Sequence, residues 1–148
     1  MDRDVPLQLW VVLARAFDAV ERHSRASIAR FGLGTTEFGV LEVLFHKGEL
    51  PVCEVQRRIL VESSSTTYVV DKLVERGLVR RRRSSTDRRS VRLALTPAGR
   101  RLIRRIFPSH AQAMRHAVAA LPPGEQAQTI RLLRALGLGA AGRLEEKD

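Results

Sequence analysis

Cysteine occurs once in this chain, at Cys53, which leaves no partner for an internal disulfide and suits a reducing cytoplasm. Its 4 histidines are scattered, so no cluster stands at metal-ligand spacing. No apolar run approaches the roughly 20 residues that a membrane span needs, and Met1-Asp2-Arg3-Asp4 does not resemble a secretion signal. A glycine-rich phosphate loop, a paired-carboxylate constellation and a nucleophile motif are all missing. Catalysis is therefore not expected, and neither a metal nor another cofactor is implied.

Charge is present in excess of one sign: 26 Lys+Arg face 16 Asp+Glu, a formal net charge of +10. Lysine supplies only Lys47, Lys72 and Lys147 of that total. Codon bias accounts for scattered arginines, but clustered ones require a physical reason. Arg80, Arg81, Arg82, Arg83, Arg88, Arg89 and Arg92 crowd one short stretch. Such a concentrated positive field implies a polyanionic partner, and nucleic acid fits this pattern better than a membrane. A length of 148 residues corresponds to one domain.

Hydrophobic periodicity places helices on both sides of that stretch. Leu7 to Val20 is apolar nearly all round and starts just after Pro6, a favoured early helix residue. A helix apolar on every side must be covered on every side, and in so small a protein a second copy is the expected cover. Gly32-Leu33-Gly34 breaks the pattern, and Thr35 is read as the cap of a second helix that ends at Lys47-Gly48. A short helix is expected over 51–59, facing inward through Val52, Val55 and Ile59. After a turn, a further helix over 63–76 faces inward through Thr66, Val70, Leu73 and Val74, and Gly77 stops it.

The outer face of this last helix carries Ser63, Ser64, Ser65, Thr67, Tyr68 and Lys72. Serine is an ordinary helix cap, yet one would suffice for that purpose. Five consecutive hydroxyl residues, Ser63 to Thr67, favour a working surface for phosphates or base edges. A hairpin follows, turning at Ser84-Ser85-Thr86-Asp87-Arg88-Arg89, with Val91, Leu93 and Leu95 alternating against Ser90, Arg92 and Ala94. Two helices across a tight turn and then a basic ribbon make the outline of a winged helix-turn-helix, a shape that fits duplex DNA.

Thr96-Pro97 opens a helix whose apolar stripe stays in phase beyond Pro108, so one long, kinked helix is expected. Pro122-Pro123-Gly124-Glu125 starts the last helix, and the Gly/Ala run from Gly137 is expected to end it. The fold class is thus mainly α with a small β-hairpin wing, in a single domain over 1–148. The DNA-binding lobe spans 35–96, dimerisation helices span 6–31 and 97–137, and 138–148 form a flexible tail.

From about Leu33 to Leu136 the residues resemble the MarR family of winged-helix transcription regulators. The most specific piece, Asp87-Arg88-Arg89-Ser90-Val91-Arg92-Leu93-Ala94-Leu95-Thr96, is similar to the family's wing signature D-x-R-x-x-x-[LV]-x-L-T. The run from Thr66 to Val79 resembles its recognition helix and the strand that follows. Phe45-His46-Lys47-Gly48 and Ile106-Phe107-Pro108-Ser109-His110 are similar to the subgroup that senses quinones and phenols. The resemblance implies a homodimer on a near-palindromic operator of double-stranded DNA, with recognition helices in major grooves and wings reaching minor grooves. It implies that Asp87 holds an arginine by a charged hydrogen bond and that Arg89, beside Arg88, is the wing arginine. Arg82 and Arg83 lie on the paired strand, and narrow minor grooves attract inserted arginine.

Regulators of this kind are commonly released from DNA by a small aromatic or phenolic ligand, which implies a cleft here too. Trp10, Phe17, Phe38 and His46 are candidates to line it, with Arg15 for an anion. Taken singly, each is better explained structurally, with Trp10, Phe17 and Phe38 as core and dimer residues and His46 as a surface residue. Cys53 is expected to be a small buried residue rather than a redox switch, because Glu54 beside it disfavours a thiolate. The rival readings are a winged-helix protein-interaction module, which would bind no duplex, and a nonspecific DNA-packaging protein, which would bind duplex without sequence preference.

Overall fold

The computed structural model describes residues 4–59, 63–86 and 90–146, and only the backbone of 63–65. Among the described residues, six helices and three short strands run in the order α1 (Val5–Ala29), α2 (Thr35–Lys47), β1 (Leu50–Pro51), α3 (Val52–Ile59), α4 (Ser63–Glu75), β2 (Val79–Arg83), β3 (Val91–Leu95), α5 (Pro97–Ala117) and α6 (Pro123–Glu145). The strands form one antiparallel sheet in the order β1-β3-β2, with Arg82 opposite Arg92 and Leu50 opposite Leu93. This is the expected winged helix, with one addition. Pro51 is a strand residue rather than the first of a helix, and it gives the wing a third, edge strand. Proline tolerates a sheet edge because it has no N–H to leave unpaired.

Local chemistry sets most of the boundaries. Gly48 (φ +77°) ends α2, and Gly77 (φ +71°) ends α4. There the N–H groups of Gly77 and Leu78 return to the carbonyls of Val74 and Leu73. Thr96 caps α5: its hydroxyl oxygen accepts from Gly99 N at 3.0 Å and donates to Gly77 O at 2.6 Å. One side chain thus ties the start of α5 to the end of the recognition helix. Thr96→Ala should lower stability by about 1–2 kcal/mol in a thermal melt. An unchanged melting temperature would mean that Gly77 alone fixes this corner.

Two expected boundaries differ. Thr35 is the first residue of α2 and Gly34 occupies the cap position, with Glu37 Oε1 accepting from Gly34 N at 3.5 Å. The glutamate three residues on reaches back to the N–H of the cap residue itself, the acidic half of a capping box. The last helix continues through Gly137, Gly139 and Gly142 to Glu145, so the expected stop at Gly137 is overturned. Glycine costs a helix roughly 1 kcal/mol per residue without forbidding it, and Leu138, Ala140 and Ala141 between these glycines favour helix. Helix α5 runs as one element across Pro108.

The core lies under the wing and the reading helices. Leu41, Leu44, Val55, Leu73, Leu93 and Ile103 are completely or almost completely buried there. Gly99 makes the closest approach in this corner: a Cβ on it would fall 2.0 Å from the carbonyl oxygen of Leu78. Helix α6, by contrast, buries none of its described residues, and α1 buries only Ser27 and Ile28. Trp10 (66% exposed), Phe17 (69%) and Leu138 (70%) stand open to solvent. Apolar surface on this scale marks a site of association.

Candidate nucleic-acid interface

Helix α4 splits its residues between two environments. Thr66, Val70 and Leu73 are buried, while Thr67, Tyr68, Asp71 and Lys72 are exposed. Tyr68 is 66% exposed, and the Lys72 ammonium lies over its ring at 5.9 Å from the centroid. A large aromatic ring held open to water on a polar helix face suits stacking and hydrogen bonding to a partner. The backbone of Ser63, Ser64 and Ser65 forms the first helical turn, while their side chains lie outside the described residues. Asp87, Arg88 and Arg89 lie outside them altogether.

Acidic residues that sequence reading passed over organise the described part of the wing. Asp71 of α4 forms an ion pair with Arg81 of β2, tying the recognition helix to the hairpin. Glu49 takes Arg82 at 2.8 Å and Arg92 at 3.6 Å, and its backbone carbonyl accepts from Arg92 at 3.3 Å. Arg82 and Arg92 are cross-strand partners. Like charges placed so would repel, and Glu49 offsets that repulsion. The hairpin closes through Ser84 N donating to Ser90 O. Arg82 is therefore exposed but partly neutralised, and Arg83 is exposed at the end of its strand.

A cavity of about 410 Å³ separates α3, α4 and the hairpin, lined among others by Cys53, Gln56, Thr67, Arg81 and Ser90. Cys53 is exposed in it, which corrects the expectation of burial. Val52, Val55 and Ile59 take the inward side of α3, so residue 53 points out. Residue type alone favoured burial, and helix phase overrules it. Next to it, Glu54 is held by Arg57 at 2.7 Å and Arg58 at 3.2 Å. The Arg57 hydrogen bonds hold its carboxyl below the ordinary value.

The five candidate ligand residues do not meet in one cavity of this chain. Arg15 borders a shallow groove along α1 with Leu7, Val11 and Val12. Phe17 lies in an apolar cleft of about 460 Å³ between α1, the end of α5 and α6. Trp10 is on the open surface, and Phe38 is buried against His110 at 4.6 Å between ring centroids. His46 meets Phe107 edge-on at 5.6 Å. That contact joins the two segments that resemble the phenol-sensing subgroup. His110 also bonds Ser27 at 2.9 Å through Nδ1. Since the Ser27 hydroxyl donates to Ser24 O, the ring nitrogen is the donor. Burial holds the imidazole below its ordinary value, opposed weakly by Glu42.

Known proteins share this sequence and shape. The MarR family profile matches residues 33–91. The HTH-type transcriptional regulator MhqR of Bacillus subtilis (strain 168) is 40% identical over 134 residues, covering 90% of this chain and 92% of MhqR. Sco3205 of Streptomyces coelicolor, a MarR family regulator solved in complex with DNA, is 26% identical with a TM-score of 0.82, over 90% of this chain and 86% of that one. BpsR of Bordetella bronchiseptica, whose DNA binding is regulated by 6-hydroxynicotinic acid, is 26% identical with a TM-score of 0.81, over 88% and 98%. The outward Tyr68 face, the basic three-stranded wing and these likenesses converge: the chain belongs to the MarR family of DNA-binding, non-enzymatic transcriptional regulators.

Proposed function

We propose that this regulator is a cytoplasmic homodimeric repressor, that it binds a pseudo-palindromic operator, and that a small aromatic or phenolic ligand releases it. The separation of two surfaces carries this reading. The polar reading face of α4 lies in the central lobe, and the apolar flanks of α1 and α6 are bare. A second copy covering those flanks would fix two recognition helices about 34–36 Å apart, the spacing of successive major grooves. Ser63, Ser64, Ser65, Thr67, Tyr68 and Lys72 would read the major groove. Arg82, Arg83, Arg88 and Arg89 would reach the adjacent minor groove, with Asp87 holding one arginine by a charged hydrogen bond. The domain division proposed with this reading places 35–96 on DNA and 6–31 with 97–137 in the dimer. The ligand part draws support from BpsR and from the His46–Phe107 contact.

Tyr68→Ala tests the reading face. Its removal should cost about 1–3 kcal/mol of preference for the selected duplex, with affinity for random duplex nearly unchanged. Equal loss on both would reduce Tyr68 to a phosphate contact. No loss on either would remove this face from DNA reading.

A further inference from the structure

Glu37 is the least exposed carboxylate among the described residues, with a side chain 11% exposed, and DNA reading by α4 gives it a task beyond capping α2. Three groups from two distant segments meet it. Gly34 N donates to Oε1 at 3.5 Å, Arg76 donates to Oε2 at 3.2 Å, and the Lys72 ammonium stands 3.7 Å from Oε1. Arg76 also donates to Gly32 O at 3.1 Å, and Gly32 has φ +73°. The turn before α2 and the last turn of the recognition helix are therefore stitched through one carboxylate. Lys72 in the last turn of α4 and Arg76 just past its end are four residues apart, so the pair fixes both the helix's place and its rotation. A carboxylate withdrawn from water holds such cations more firmly than a surface acid would.

The position of Lys72 gives this stitch a functional side. Its ammonium stands 3.7 Å from the Glu37 carboxylate and 5.9 Å from the centroid of the outward Tyr68 ring. A lysine at liberty on that face would bind any phosphate and add a sequence-independent contact. Held by Glu37, it is kept back from bulk DNA while the helix keeps its pitch. Resting on the DNA-reading role of α4, we propose that Glu37 is a positioning residue that holds Lys72 and Arg76 and thereby sets preference for operator over bulk DNA.

Salt titration of duplex binding by E37Q, which keeps shape and removes charge, tests this. On random-sequence duplex the affinity of E37Q should rise, and its log–log salt slope should steepen by about 0.9, the value of one added phosphate contact. Preference for the selected duplex should fall. The double variant E37Q/K72Q should return the slope to that of the unaltered protein. A purely structural Glu37 would lower both affinities and leave the slope alone, and that result overturns the proposal. Should E37Q fail to fold, E37D, which draws the carboxylate back from Lys72, serves instead: a steeper random-duplex slope supports a held lysine, and an unchanged slope contradicts it. Failure to select any inverted repeat would defeat the operator reading separately, because the random-duplex slopes do not depend on it.

Discussion

If the proposed dimer forms, glutamate in place of Phe17 should turn it into a monomer and reduce operator affinity roughly 100-fold or more, because two coupled half-site contacts become one. Phe17 is 69% exposed in the protomer, so folding of the lobe does not require it. Its ring borders the apolar cleft formed with Val118, Ile130 and Leu133, surface that the protomer leaves open and the proposed partner would cover. A buried, unpaired carboxylate in that interface would cost several kcal/mol, enough to dissociate a dimer of ordinary stability. Sedimentation should show the monomer, and circular dichroism should show unchanged helix. Glu at Val11, on the open face of α1, should act in the same sense. A dimer that survived both would put the interface elsewhere.

Gly99→Ala should be the most damaging single methyl in the described structure. The added Cβ would stand 2.0 Å from Leu78 O and 3.0 Å from its carbonyl carbon. That oxygen already accepts from Thr96 N at 3.1 Å, and Leu78 is buried. Backbone must therefore move, either α5 away from the α4–β2 corner or the corner itself. Overpacking of this kind costs about 3 kcal/mol or more, which at 2–4 °C per kcal/mol lowers the melting temperature by roughly 6–12 °C. Gly124→Ala is the matched control, since its Cβ would meet nothing within 4 Å. It should be neutral or slightly stabilising. Equal melting temperatures for the two variants would show that the corner yields freely.

The features legible in the sequence were those written in local chemistry. Gly48, Gly77 and Thr96-Pro97 announce helix ends and starts through φ preference and capping, and each acts where it was expected. The alternation around Leu93 and the inward stripe of Val70 and Leu73 also need only their neighbours to be read. What escaped depends on residues far apart in the chain. Pro51 looks like a helix start until β3 is seen pairing with it. Cys53 is exposed because its neighbours in α3 claim the core, and Gly137 stays helical because the modest cost of a glycine does not outweigh the helix formers around it. Glu37, Glu49 and Asp71 could not be chosen from the other acids by sequence, since their importance lies in arginines and a lysine up to 43 residues away. The reading helix and basic wing were thus visible early, whereas the acidic contacts that orient them required the fold.

Selection of duplexes from a random DNA pool at about 150 mM salt, where much of the nonspecific electrostatic attraction is screened, tests the central claim most directly. An inverted repeat with half-site centres about 10 bp apart should be enriched. Retained DNA without a consensus would contradict sequence-specific reading and point to packaging. Recovery of no duplex, from protein shown to be folded and free of small molecules, would contradict DNA reading altogether.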